Sequence, residues 1–200
     1  MPRTVDHGQR RAVIAEAVVQ VAARDGLHAV TMRAVAAEAG VSVRLVQYYF
    51  HSKTQLMVGT LDYLEDRSHQ RWSARLDGLG DPPPPRAVIE AFAAEALPTD
   101  EASQVFHLVG TSYAMLAFTD PELARQPFIA GIDRLCGQLA DALSRARDAG
   151  DLAAGIEPDR EARRLVALAN GLGTGVLAGQ HTPDTARTIL AYHAKQVFRR

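Results

Sequence analysis

The sequence predicts an all-α protein. Three observations carry this. Of its 200 residues 47% are hydrophobic, with alanine and leucine dominant and β-branched runs scarce, a composition that favours helices. Apolar residues recur at spacings of three and four along most of the chain. Glycines, prolines and Ser/Thr/Asp caps punctuate those stretches at intervals that suit helices.

The opening "MPRTVDHGQRR" is polar and is expected to fray; Ile14, Ala17, Val18, Val21 and Ala22 then form a first helix that stops at Gly26. Thr31 caps a second helix carrying Val35, Ala36 and Ala39, and Gly40 supplies the tight turn after it. Ser42 caps a third, about 43–50. Ser52 and Gln55 stand in capping-box spacing and open a long fourth helix with Leu61, Leu64, Trp72 and Leu76. "GLGDPPPP" (78–85) breaks the chain as a stiff connector. A fifth helix carries Val88, Ile89, Phe92 and Ala96 and stops before Pro98. The sixth, about 100–119, is apolar on two sides: one stripe holds Ala102, Phe106, Val109, Tyr113 and Leu116, another Val105, Leu108 and Met115. Such a helix is sandwiched between neighbours. Asp120, Pro121 and Glu122 open a seventh, about 121–149, through Phe128, Ile132, Leu135, Leu139 and Leu143. Pro158, Asp159 and Glu161 open an eighth, about 158–179, and "TPD" at 182–184 opens the ninth. Domains are expected at 1–52 and 53–200, linked by the fourth helix (about 53–77).

Charge is unevenly placed. Residues 1–60 hold seven Lys+Arg and four Asp+Glu, whereas residues 61–200 hold fifteen and nineteen. A basic front on an acidic body suits a local anionic partner, while the net charge of −1 excludes a general nucleic-acid binder. Cys136 is the only cysteine, so no intrachain disulfide forms, and no long apolar run or signal-peptide pattern is present. The protein is expected to be cytoplasmic, without membrane association.

The second and third helices, joined at Gly40, have the spacing of a helix-turn-helix. At 100° per residue, Val46 and Phe50 share one side of the third helix, with Val43 at its edge. Arg44 and Tyr48 point away, flanked by Leu45 and Tyr49 on one side and Gln47 on the other. Arginine pairs bidentately with guanine, glutamine with adenine, and leucine touches a thymine methyl. Tyrosine hydroxyls, Thr31, Ser42 and Lys53 suit phosphates. Lys53 adds its charge to the positive end of the fourth helix. Arg33 and Val43 complete the expected DNA-facing set.

These residues resemble the DNA-binding domain of the TetR family of bacterial transcriptional regulators. The matching stretches are "TMRAVA" from Thr31, "EAGVS" from Glu38 to Ser42, "YYF" from Tyr48, and Ser52-Lys53 followed by Leu56. Within that family, "VQYYFHSK" and the C-terminal layout look most similar to the branch named for the choline-responsive betaine regulator. Many members carry small residues where this chain has Arg44 and Leu45, and tyrosine where it has Gln47. The resemblance supports roles for Ser42, Tyr48, Tyr49 and Lys53; those of Arg44, Leu45 and Gln47 rest on helix geometry alone.

The resemblance implies a homodimer on double-stranded DNA, paired through its last long helices as a four-helix bundle. Leu139, Leu143, Leu172, Gly175, Val176 and Gly179 are the expected interface residues; Gly171, Gly175 and Gly179 recur every four residues as a small face. "GLGTG" (171–175) lacks the preceding strand and spacing of a nucleotide-binding loop. The resemblance also implies a small-molecule effector, largely apolar, held among the fourth to eighth helices. Trp72, Phe92, Phe106, His107, Tyr113, Phe128 and Asn170 are the candidates, with His107 and Asn170 singled out as buried polar groups that need partners. Effector binding is then expected to shift the population towards a dimer that no longer matches the operator, with the fourth helix as lever.

An enzyme is the first competing reading. The seven histidines and one cysteine form no metal or nucleophile motif, and Glu90 and Glu95 are expected to be solvated. No metal and no cofactor is expected. A regulator controlled by a protein partner, and an activator rather than a repressor, are the others.

Overall fold

A computed structural model describes residues 7–117 and 127–199, with the side chains of Tyr113, Leu116, Ala117 and residues 127–130 outside the description. Among the described residues there are nine α-helices: α1 His7–Asp25, α2 Met32–Glu38, α3 Val43–Phe50, α4 Lys53–Leu76, α5 Pro85–Glu95, α6 Glu101–Ala117, α7 Pro127–Asp148, α8 Pro158–Leu177 and α9 Pro183–Val197. The expected cap at Asp120, Pro121 and Glu122 lies outside the described residues.

The caps form where the sequence places them. Thr31 Oγ1 accepts from Ala34 N at 3.1 Å, Ser42 Oγ from Leu45 N at 3.2 Å, Ser52 Oγ from Gln55 N at 3.1 Å and Thr182 Oγ1 from Thr185 N at 3.1 Å. Each satisfies one of the orphan amides of a helix start. The Ser52–Gln55 capping box closes on one side only, because the Ser52 amide donates to the Phe50 carbonyl. The last of the four prolines belongs to a helix: Pro85 is the first residue of α5, where a missing N–H costs nothing.

Two apolar clusters organise the molecule. The head cluster joins Ile14, Val18 and Val21 of α1, Val35 of α2, Val46 and Phe50 of α3 and Leu56, Leu61 and Leu64 of α4. It also takes in Val105 and Val109 of α6. The body cluster joins Trp72 of α4, Ile89 and Phe92 of α5, Leu139 and Leu143 of α7, Leu165 of α8 and Leu190 of α9. The chain end closes this cluster, with Ala153 N donating to Val197 O at 3.0 Å and Arg199 N to Asp151 O at 2.7 Å. Thus α4 contributes to both clusters, while α6 packs against α1 and α4 on one side and α8 on the other.

Two expectations need correction. The first helix begins at His7, not near Ile14, because its early turns are held from outside: Arg11 Nη1 donates to Tyr49 O at 3.0 Å and its guanidinium lies over the Phe50 ring at 4.6 Å. Met115, expected in an apolar stripe of α6, is 62% exposed.

Candidate functional site

The third helix turns as its wheel requires. Val46 and Phe50 are 0% and 1% exposed and anchor α3 in the head cluster. Arg44, Gln47 and Tyr48 stand outward, Tyr48 at 63% exposure. Ser42, Thr31, Arg33 and Lys53 are exposed, and Val43 and Leu45 are half-buried at the edges of the same face. Among the described residues Arg33, Arg44 and Lys53 enter no ion pair. Their charge is therefore unneutralised, a basic edge beside an aromatic ridge.

Tyr49 departs from the expected outward pose. It is 9% exposed, its hydroxyl lies 3.1 Å from His7 Nδ1, and its ring meets Tyr48 edge-on at 5.2 Å between centroids. The first turns of α1 cover the flank of α3 on which Tyr49 lies. It supports Tyr48 from behind instead of reaching out itself. His7 and Arg11, which hold it, belong to the polar opening that the sequence alone leads one to expect frayed. A signal for them exists: residues 7, 11, 14 and 18 continue one helical stripe, but its first two members are polar and escape a search for apolar periodicity.

The body contains a cavity of about 570 Å³ bounded by α4 to α8. Trp72, Phe92, Phe106, His107 and Asn170 of the expected set line it; the side chains of Tyr113 and Phe128 lie outside the described residues. Asn170 is exposed, not buried, because this turn of α8 presents it at the open side. His107 is half-buried, with Nε2 at 3.2 Å from the Ala96 carbonyl, and burial holds its pKa below the ordinary histidine value against the opposing effect of that bond. Glu95, expected in solvent, is ion-paired on both oxygens: Arg71 Nε at 2.8 Å and Arg75 Nε at 2.6 Å. Burial raises the pKa of Glu65 above the usual carboxylate range, opposed by Arg134, whose Nη2 lies 2.8 Å from Glu65 Oε1.

The expected interface residues are mostly spoken for within the chain. Leu139 and Leu143 are 0% exposed and Leu172 6%, all within the body cluster. Val176 is half-buried and packs on that cluster. A Cβ on Gly175 would meet the His181 ring at 2.6 Å. Gly179 lies past the end of α8 at φ +71°, where its amide donates to Val176 O and that of Gln180 to Gly175 O, the double bond of a Schellman cap. The large apolar residues left exposed on the last two helices are Leu177, Ile189 and Tyr192.

An all-helical chain with an outward helix-turn-helix face and a cavity-bearing body is built as a bacterial transcriptional regulator. Residues 14–59 match the family of "Bacterial regulatory proteins, tetR family", and residues 85–199 match "BetI-type transcriptional repressor, C-terminal". The chain belongs to the TetR family, in its BetI-like branch. It is 23% identical over 199 residues to the HTH-type transcriptional regulator PksA of Bacillus subtilis, covering 98% of this chain and 94% of that protein. With the HTH-type transcriptional regulator BetI of Burkholderia lata it shares 27% over 201 residues, covering 96% and 95%. Among solved structures, a transcriptional regulator from Rhodococcus sp. Rha1 superimposes with a TM-score of 0.75 at 27% identity, over 94% of this chain and 95% of that one. A putative regulator from Saccharomonospora viridis, solved in complex with choline, gives 0.82 at 24% identity over 96% and 100%, a likeness of fold. These are regulators, not enzymes.

Proposed function

We propose that the chain is a homodimeric repressor that binds a pseudo-palindromic operator through α3 in the major groove and is released by a small molecule held in the body cavity. The observation that carries this reading is the outward ridge of Arg44 and Tyr48, flanked by Gln47 and by the cations Arg33 and Lys53, which enter no ion pair among the described residues. Arg44 and Gln47 suit base edges, and Thr31, Ser42, Tyr48 and Lys53 suit phosphates. One such helix covers few base pairs. A two-fold dimer adds a second half-site roughly 34–36 Å away or a multiple of it.

Pairing through the outer faces of α8 and α9 is supported by Leu177, Ile189 and Tyr192, three of the seven large apolar residues exposed among the described residues. The repressor sense is supported by the branch, whose family is described as BetI-type repressors.

Two helices connect cavity and head. Helix α4 is tied to the body by Arg71, Arg75 and Glu65, and to α1 through Tyr63, whose hydroxyl donates to Glu16 Oε2 at 2.7 Å. Helix α6 places Val105 and Val109 in the head cluster and His107 and Thr111 on the cavity wall. Movement of either helix on ligand binding reaches the DNA-binding face through packed side chains. The effector must favour the released state by a few kcal/mol to shift the population usefully. That the choline-bound fold neighbour carries a ligand supports a ligand-controlled switch here.

The test is fluorescence anisotropy with duplexes tiled from the DNA flanking the gene. One tile bound on the order of 10³-fold more tightly than a scrambled duplex supports an operator-binding regulator. Equal affinity for every tile contradicts it.

A further inference from the structure

Helix α3 is 8 residues long, and its own stretch of chain does not satisfy its far end alone. The last carbonyls of a helix have no amide within it to bond. Here the Gln47 carbonyl accepts from His51 N at 2.8 Å and the Phe50 carbonyl from Ser52 N. The Tyr49 carbonyl instead accepts from a side chain of α1, Arg11 Nη1 at 3.0 Å. Among the described residues Arg11 enters no ion pair. Its cation therefore acts on the negative end of the α3 dipole without a carboxylate to neutralise it.

The same guanidinium lies over the Phe50 ring at 4.6 Å, and that ring is 1% exposed. Both groups meet α4 at Gly59. Glycine inside a helix is about 1 kcal/mol worse than alanine. Gly59 is nevertheless the one glycine among the 24 residues of α4, and packing supplies the reason. A Cβ there would come 2.5 Å from Phe50 Cε1 and 3.3 Å from Arg11 Nη2. Ring, guanidinium and bare helix backbone are thus stacked where α1, α3 and α4 converge.

This joint lies behind the reading face. Phe50 and the outward Tyr48 are on opposite sides of α3. Arg11 holds the backbone of Tyr49, whose ring meets Tyr48 edge-on at 5.2 Å between centroids. Eight residues of helix span about 12 Å, so a shift of one end by about 1 Å tilts the rod by roughly 5°. Bidentate bonds to base edges are sensitive to such a tilt, whereas attraction to phosphates by long cationic side chains is not.

We infer that Arg11 and Gly59 form a positioning joint for DNA recognition, setting the seat of α3 from behind without touching the duplex. This rests on the reading of α3 as the helix that enters the major groove, and adds two positioning residues to it.

Fluorescence anisotropy tests it with the full chain, Arg11→Lys and Gly59→Ala. Each is measured on the best-bound tile and on its scrambled duplex, and each is checked for folding at the assay temperature by far-UV circular dichroism. Lysine keeps the cation but cannot lay a planar fork on both the carbonyl and the ring. Arg11→Lys binds the tile about tenfold more weakly, the scale of one impaired base contact, and the scrambled duplex within about twofold of the parent. Gly59→Ala changes no charge and gives the same pattern. If Arg11→Lys keeps the parent's ratio of tile to scrambled affinity, the inference is overturned, because a phosphate contact needs only the cation. A lower Tm with that ratio unchanged marks a merely structural joint and also counts against it. Should Arg11→Lys not fold, the ratio for Gly59→Ala decides in the same way. If the parent itself prefers no tile, the operator reading fails first and the joint falls with it.

Discussion

Replacing Gly173 by alanine tests the packing of α8 against α6 at the cavity wall. Glycine inside a helix is ordinarily about 1 kcal/mol worse than alanine, so the default expectation is stabilisation. Here the new Cβ would lie 2.5 Å from Nδ1 and 2.6 Å from Cε1 of His107. The ring must retreat by roughly 1 Å to regain ordinary contact. That movement stretches its 3.2 Å bond to the Ala96 carbonyl beyond hydrogen-bonding range. Loss of the bond costs about 0.5–1.5 kcal/mol and overpacking about 1–3. Set against the helix gain of about 1 kcal/mol, the net is a destabilisation of roughly 1–3 kcal/mol. For a chain of this length it lowers Tm by about 2–12 °C. Gly137→Ala is the matched control: that glycine is exposed within α7 and a Cβ there meets nothing within 4 Å. It gains up to about 1 kcal/mol and raises Tm by about 2–4 °C. Thermal unfolding of the two variants beside the parent decides the matter. If Gly173→Ala melts as high as Gly137→Ala, the seat of His107 on α8 is wrong.

The other predictions concern the two surfaces. Lys53→Ala weakens binding to every duplex and reduces the slope of log affinity against log salt by about one unit, as loss of one phosphate contact requires; an unaltered slope removes Lys53 from the phosphate set. The double variant Ile189→Asp, Tyr192→Asp places two charges on the outer face of α9; if the chain pairs there as proposed, the parent sediments as a dimer and the variant as a monomer in sedimentation velocity. A dimer of unchanged stability there would move the interface elsewhere.

What the sequence disclosed follows the range of the interactions. Caps at Thr31, Ser42, Ser52 and Thr182 were legible because each bond spans three residues. The inward pair Val46 and Phe50, and with it the outward Arg44 and Tyr48, followed from helix period alone. Tyr49 did not, since its burial depends on His7 and Arg11, forty-two and thirty-eight residues away. The leucines of α7 show another limit. Periodicity marks Leu139 and Leu143 as buried, but an apolar stripe does not say whether its own chain or a partner covers it. Both turned out to belong to the body core. Aromatic content in the middle of the chain pointed to Trp72, Phe92 and Phe106, whereas the meeting of His107 with Gly173 joins two helices far apart in sequence and left no local trace.

The central claim is that the face carrying Arg44 reads base sequence. Selection from a random duplex library with the full chain and with Arg44→Ala tests it most directly. The account predicts a two-fold-symmetric site for the parent and, for the variant, degeneracy at one position per half-site with a loss of about 1–3 kcal/mol per contact. A site without symmetry, or identical base preferences for parent and variant, would contradict it.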